Sequence, residues 1–162
     1  LWSQIRRSYH ALIHRGERTY AIEIGPILDL FDCYEDVHKR SCSPRGRPQA
    51  TYDIQRQVVS GGHGLVAVAF DRENDEWISA AYVIYDGPWA YYASGPTLRP
   101  NVQHAIQWKI LQALKDYGVM HYELGYLPEH PTAKDHNIQG FKTGFGGTDW
   151  TQEIHDVELS AL

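Results

Sequence analysis

The sequence predicts one mixed α/β domain, a twisted central mixed sheet flanked by helices. Three observations carry that prediction. Apolar residues recur at helical spacing through most of the first sixty positions. β-Branched and aromatic runs then fill Gly64 to Ser94, separated by turn residues. Helical spacing returns from Asn101 to Tyr117, followed directly by a short strand pattern. The 162 residues suit one domain able to bury a core without metals or disulfides. With 43% hydrophobic and 22% charged residues the chain is ordinary in composition, and no apolar run has the length of a membrane span.

Each element has its own local cause. Ile5, Tyr9, Leu12 and Ile13 share one face of a helix predicted over residues 2–16, with Gly16 as its stop. Tyr20, Ile22 and Ile24 alternate in a strand over 19–24, and Gly25-Pro26 turns the chain. A second helix is predicted over 27–40, with Pro26 just before it. Residues 41–49 form a loop rich in Ser, Pro, Gly and Arg. A third helix over 51–60 has Thr51 as its cap and Gly61-Gly62 as its end. Strands over 64–70, 76–85 and 89–94 make an antiparallel meander through Asn74-Asp75 and Asp86-Gly87-Pro88. A helix over 101–117 ends at Gly118, and a strand follows over 120–124. A loop over 126–135, a short helical turn over 137–143 and a last strand over 148–159 complete the order. The fourth strand, the helix and the fifth strand read as a right-handed βαβ unit, so those two strands are expected to be parallel neighbours.

The net charge of −5 is unevenly spread. Residues 1–60 hold nine Lys and Arg against seven Asp and Glu; the remainder holds six against thirteen. A basic N-terminal part suits an anionic ligand, a phosphate, nucleotide or RNA end, and equally suits solvated helix surfaces. Cys33 and Cys42 form no zinc or disulfide pattern and read as reduced thiols, which with the lack of a secretory signal leads to a cytoplasmic expectation. Nine histidines include His10 and His14 at i, i+4, but no third ligand has diagnostic spacing, so no metal is expected. No Gly-x-Ser-x-Gly elbow is present, and covalent catalysis has no support.

Four stretches carry a resemblance. They are Gly46-Arg47-Pro48 with the helix beginning near Tyr52, Tyr91 to Gly95, Asn101 to Trp108 running on to Tyr122-Glu123-Leu124-Gly125, and Phe141 to Gly147. Together they span residues 46–147 and resemble the GNAT N-acyltransferase fold, most like its Fem-type branch, the peptidoglycan-bridge aminoacyltransferases. That resemblance implies transfer of an aminoacyl group from aminoacyl-tRNA to an amine of an acceptor such as a peptidoglycan precursor or peptide. It also implies that residues 1–162 form a single domain that is either whole in itself or the C-terminal half of a two-domain protein. Leu1 at the start and Met120 as the only methionine suggest a piece of something longer. A coenzyme A-dependent acetyltransferase on a small amine, and a silent domain that binds RNA or protein without turnover, are the alternatives.

The resemblance assigns Phe141 to the tRNA end and Lys142 to catalysis. An aromatic ring can stack on an unpaired base, and a fixed cation can stabilise a tetrahedral oxyanion. A core Phe and an exposed Lys that contributes little to folding is the competing reading. Gly144 and Gly146 permit a tight turn against an acyl site, or simply a turn with Phe145 plugging the core. Arg47, with its bidentate guanidinium, and Tyr52 are candidates for holding an anionic acceptor. Tyr92 lies on the fourth strand beside the cleft. Glu123, at the end of the fifth strand, is a candidate general base or a strand-end carboxylate paired with a neighbour such as Tyr92. No glycine lies between Gly95 and Gly118, where a GNAT pyrophosphate loop would need them. No cofactor is therefore expected to bind tightly, and aminoacyl-tRNA is preferred to acetyl-CoA as donor.

Overall fold

β2 (Gly64–Asp71) lies at the centre of the fold because both of its faces are apolar. Leu65, Ala67 and Ala69 face one helical layer while Val66 and Val68 face the other, which is why this strand reads as a near-continuous hydrophobic run. The computed structural model describes residues 1–126 and 130–149. It places α1 (Arg7–Thr19), β1 (Tyr20–Gly25), α2 (Leu28–Ser41) and α3 (Gln49–Ser60) ahead of β2. β3 (Glu76–Asp86), β4 (Trp89–Ser94), α4 (Val102–Asp116), β5 (His121–Glu123) and α5 (Ala133–Thr143) follow it.

The sheet order is β1-β2-β3-β4-β5. The first three pairings are antiparallel and β4–β5 is parallel, as the βαβ reading requires. Ile106, Ile110 and Leu114 of α4 cover one face of the sheet, against Ile78, Ala81 and Val83. Leu30, Phe31, Tyr34 and Val37 of α2, with Tyr52 and Val59 of α3, cover the other. A third cluster forms outside α4, where Ile5, Tyr9 and Ile13 meet Phe145 and the partly buried Trp108 and Phe141.

Several boundaries differ from the expectations, each for a local reason. The first predicted helix is divided: a 3-10 turn spans Trp2–Gln4, and α1 runs from Arg7 to Thr19. Gly16 does not stop it. A Cβ at Gly16 would lie 2.5 Å from Ala105 Cβ, so the glycine lets α1 press against α4. α3 starts at Gln49 with Pro48 as N-cap, and Thr51 sits inside its first turn, its N–H donating to Pro48 O. The predicted 137–143 turn is the end of a longer helix. Thr132 accepts from Asp135 N and Asp135 accepts from Thr132 N, a reciprocal cap that starts α5 at Ala133. Thr148 and Asp149 belong to no strand, and the rest of the strand predicted over 148–159 lies outside the described residues.

The packing of Gly16 has a measurable sign. On an open helix, Gly→Ala stabilises by about 1 kcal/mol. Here Gly16→Ala is expected to destabilise by about 1–3 kcal/mol through overpacking, read as a lowered Tm. Adding Ala105→Gly to the same chain should recover part of the loss.

Candidate active site

β5 pairs with only half of β4. Trp89, Ala90 and Tyr91 face His121, Tyr122 and Glu123, and there the pairing ends. Gly125 then turns the chain away with φ of +88°. β4 continues through Tyr92, Ala93 and Ser94. A bulge places Tyr92 opposite Val83 and Ser94 opposite Tyr82, leaving Ala93 as the extra residue. Among the described residues, the β5 side of residues 92–94 is therefore an unpaired backbone edge within the mixed sheet.

Lys142, near the end of α5, reaches the mouth of this gap. Its Nζ donates to Gly125 O and Tyr126 O, both at 3.2 Å. An ammonium has three N–H donors, so two are used and the third has no partner among the described residues. Burial pulls its pKa below the ordinary lysine value, and the neighbouring Glu123 charge works against that fall. Glu123 itself is exposed. The partner suggested for it was Tyr92; its register neighbour across the strands is Tyr91 instead. Lys142 is also not the freely exposed lysine of the simplest reading, because it ties down the chain that leaves β5.

Behind the gap lies a buried polar row. The Tyr92 hydroxyl donates to Gln103 Oε1 at 3.4 Å, and the Tyr122 hydroxyl to Gln107 Oε1 at 3.0 Å. Burial pushes the Tyr92 hydroxyl up to about 12, so it stays protonated. It also fills the space above Gly95, where a Cβ would lie 1.5 Å from its oxygen. Gln107 is fully buried, and its Nε2 has no partner.

The segment between β4 and α4 is closed upon itself. Ala80 N donates to Pro96 O, Leu98 N donates to Ile78 O, and Gln103 Nε2 donates to Pro96 O and Ala80 O. Arg99 is held by Asp71 and Glu76. His104 is buried, and burial lowers its pKa and keeps it neutral. Leu98 N, the Gln103 amide and the Arg99 guanidinium are thus engaged within the fold.

The remaining candidates divide between packing and the opposite side of the sheet. Phe141 lies edge-on to His104 at 5.1 Å and to Phe145 at 5.3 Å, half-buried in the aromatic cluster with Tyr9. A Cβ at Gly144 would strike the Tyr9 ring at 2.2 Å, and one at Gly146 would lie 2.7 Å from Gln4 O. Gly144 O also accepts from Arg6 N at 2.7 Å. These glycines dock the end of α5 on the N-terminal segment rather than on the gap. Tyr52 is 1% exposed, its hydroxyl 3.0 Å from His38 Nδ1. Arg47 is half-buried in the loop before α3, where its charge reaches Tyr34 and His38.

Tyr34 and Gln55 were not singled out from the sequence as polar site residues. Tyr34 donates to Gln55 Oε1 at 3.4 Å, close to Ser94 at the end of β4. Their helical spacing marks an inward face, but nothing local says that the inward groups are polar by design. Among the described residues no group of three or more His, Cys, Asp or Glu could hold a metal, and no helix is long and apolar enough to cross a membrane.

No protein-family model and no curated protein matches the chain. Solved structures do. FemX matches with a TM-score of 0.75 at 11% identity, over 90% of this chain and 55% of FemX. L-PGS from Bacillus licheniformis matches at 0.62 and 14%, over 88% of this chain and 51% of its own. The aminoglycoside N-acetyltransferase AAC(6')-Iy in complex with CoA matches at 0.63 and 10%, over 87% and 97%. The chain thus spans about half the length of FemX and of L-PGS, and nearly all of the acetyltransferase. The mixed sheet, the splayed parallel pair and these neighbours together give the chain the GNAT fold.

Proposed function

We propose that this domain is an N-acyltransferase that moves an aminoacyl group from aminoacyl-tRNA to an amine on an acceptor such as a peptidoglycan precursor or peptide. The observation that carries the reading is the β4 edge at residues 92–94, which has no strand partner on the β5 side among the described residues, together with the Lys142 ammonium held on Gly125 O and Tyr126 O just beyond the end of β5. The donor carbonyl would lie in that gap. The neutral amine attacks the ester carbon, and the carbonyl π pair moves onto oxygen. Lys142 offers its remaining N–H to that oxyanion, together with backbone N–H of the open edge. Collapse re-forms the carbonyl and breaks the ester bond, and the ribose hydroxyl leaves with a proton. The amine's proton goes to Glu123 or to water. The absence of glycine between Gly95 and Gly118 supports the aminoacyl donor, and so does the engagement of Leu98 N, Gln103 and Arg99 within the segment before α4.

A second reading is favoured by one observation: AAC(6')-Iy in complex with CoA shares the fold over nearly its whole length. Calorimetry with acetyl-CoA separates the two. No saturable binding is expected at micromolar concentration. Micromolar binding to the segment before α4 would overturn the tRNA reading in favour of acetyl transfer.

Lys142→Ala is expected to lower turnover roughly a hundredfold or more. It should also cost about 1 kcal/mol of stability, because the Gly125 and Tyr126 carbonyls lose their donor. Arg should rescue poorly, its wide guanidinium placing the charge elsewhere. Near-normal turnover in Lys142→Ala would confine the lysine to its structural bonds.

The pH profile gives an independent check. Lys142 acts as the cation, so activity should fall as pH rises through a pKa below that of an ordinary lysine. The Glu123 charge raises that pKa, so Glu123→Gln should move the falling limb to lower pH. A rate that rises through the same range would make Lys142 a base and overturn this role.

A further inference from the structure

The cations of α2 and α3 are almost all accounted for. Lys39 pairs with Glu35 at 2.5 Å, Arg40 with Asp36 and Glu76 at 3.1 and 2.9 Å, and Arg56 with Asp32. Arg47 has no carboxylate partner among the described residues although it is half-buried. A partly desolvated guanidinium without an anion is costly, and its fork is shaped for a bidentate oxyanion.

The groups beside it are neutral. Burial raises the pKa of Tyr34, which keeps its hydroxyl, and His38, 4% exposed, is held neutral by burial and by the Arg47 charge. Gln55 supplies an amide, its Oε1 occupied by Tyr34 and its N–H groups without a partner in the cluster. Beneath them Tyr82 is fully buried, and its hydroxyl has no partner among the described residues. The Tyr82 and Tyr34 rings are 5.7 Å apart, so this orphaned donor belongs to the same cluster. Such a group requires an acceptor that the fold does not supply. Ser94, close to Tyr34, joins the cluster to the open end of β4.

Taking acyl transfer at β4 as given, we propose that the acceptor is an amino acid or peptide whose free carboxylate docks on Arg47, beside Tyr34, Gln55 and Ser94, with its amine directed along β4 to the Ala93 bulge. The charge count selects a carboxylate. One guanidinium among neutral donors balances a monoanion, whereas a phosphate dianion calls for a second cation. Arg45, the nearest in sequence, is exposed.

The test is calorimetry with matched pairs, glycylglycine against glycylglycinamide and L-lysine against L-lysinamide, with inorganic phosphate as a third arm. The free acids should bind at least tenfold more tightly than the amides, and phosphate more weakly than the acids. Arg47→Gln should erase the preference while leaving the Tm within a few degrees, and Tyr34→Phe should weaken acid binding severalfold. Equal binding of acid and amide, absence of binding to every probe, tighter phosphate binding, or a preference that survives Arg47→Gln would each overturn the proposal. Acyl transfer to a carboxylate-free amine, unaffected by Arg47→Gln, would refute the docking site and leave acyl transfer standing. Arg47-dependent acid binding in a chain that transfers no acyl group would do the reverse.

Discussion

The shortness of the β4–β5 pairing is the constraint on which the rest of the structure depends. Parallel neighbours need a crossover, and α4 provides it, packed across the sheet through Val102, Ile106, Ile110 and Leu114. After three paired residues the strands part, because Gly125 takes a left-handed turn and Ala93 bulges out of register with β3. An unpaired backbone edge in the middle of a domain is costly unless something completes it. Among the described residues, nothing pairs with this row of backbone groups. Lys142 stands at one side of that row, and the Tyr34 cluster begins at its far end through Ser94.

Lys142 can stand there only because α5 is docked accurately, and that accuracy comes from the N-terminal segment. The Tyr9 hydroxyl donates to Gly140 O at 2.9 Å, and its ring lies where a Gly144 side chain would be. Arg6 N donates to Gly144 O, and Gly146 lies against Gln4. The aromatic cluster of Tyr9, His104, Phe141 and Phe145 closes the joint. The glycines of this stretch thus position the lysine by letting two helices meet, and Phe141 is first a packing residue on that joint.

Periodicity made the sheet legible in the sequence. β2, β3, β4 and α4 were readable because burial on two faces, turn dipeptides and helical spacing are all local signals. Gly16 misled because a glycine inside a helix and one that ends it look alike until the partner, Ala105, is known. The start of α5 was readable in principle: Thr132 and Asp135 stand at capping spacing, but two nearby prolines, Pro128 and Pro131, suggested a loop. Of the site, Lys142 and Arg47 were visible as charged residues in distinctive settings. Tyr34, Gln55 and Tyr82 were not, since a buried polar cluster is assembled from three elements, and its members look like ordinary residues on each.

The segment joining β4 to α4 is held in place by backbone groups of β3. A phosphate cradle needs backbone N–H groups aimed outward and glycines that let a ligand come close. Here Leu98 N is spent on Ile78 O, and Gln103 turns back to bridge Pro96 O and Ala80 O. Arg99 is neutralised by Asp71 and Glu76. Gly95 is filled from below by Tyr92 rather than left open. Each replacement is a satisfied polar group, so opening the segment would cost several buried hydrogen bonds at once. The same bonds brace β4 against α4, and so hold residues 92–94 in place. The engagement of Leu98, Gln103 and Arg99 and the bracing of β4 thus have one structural cause.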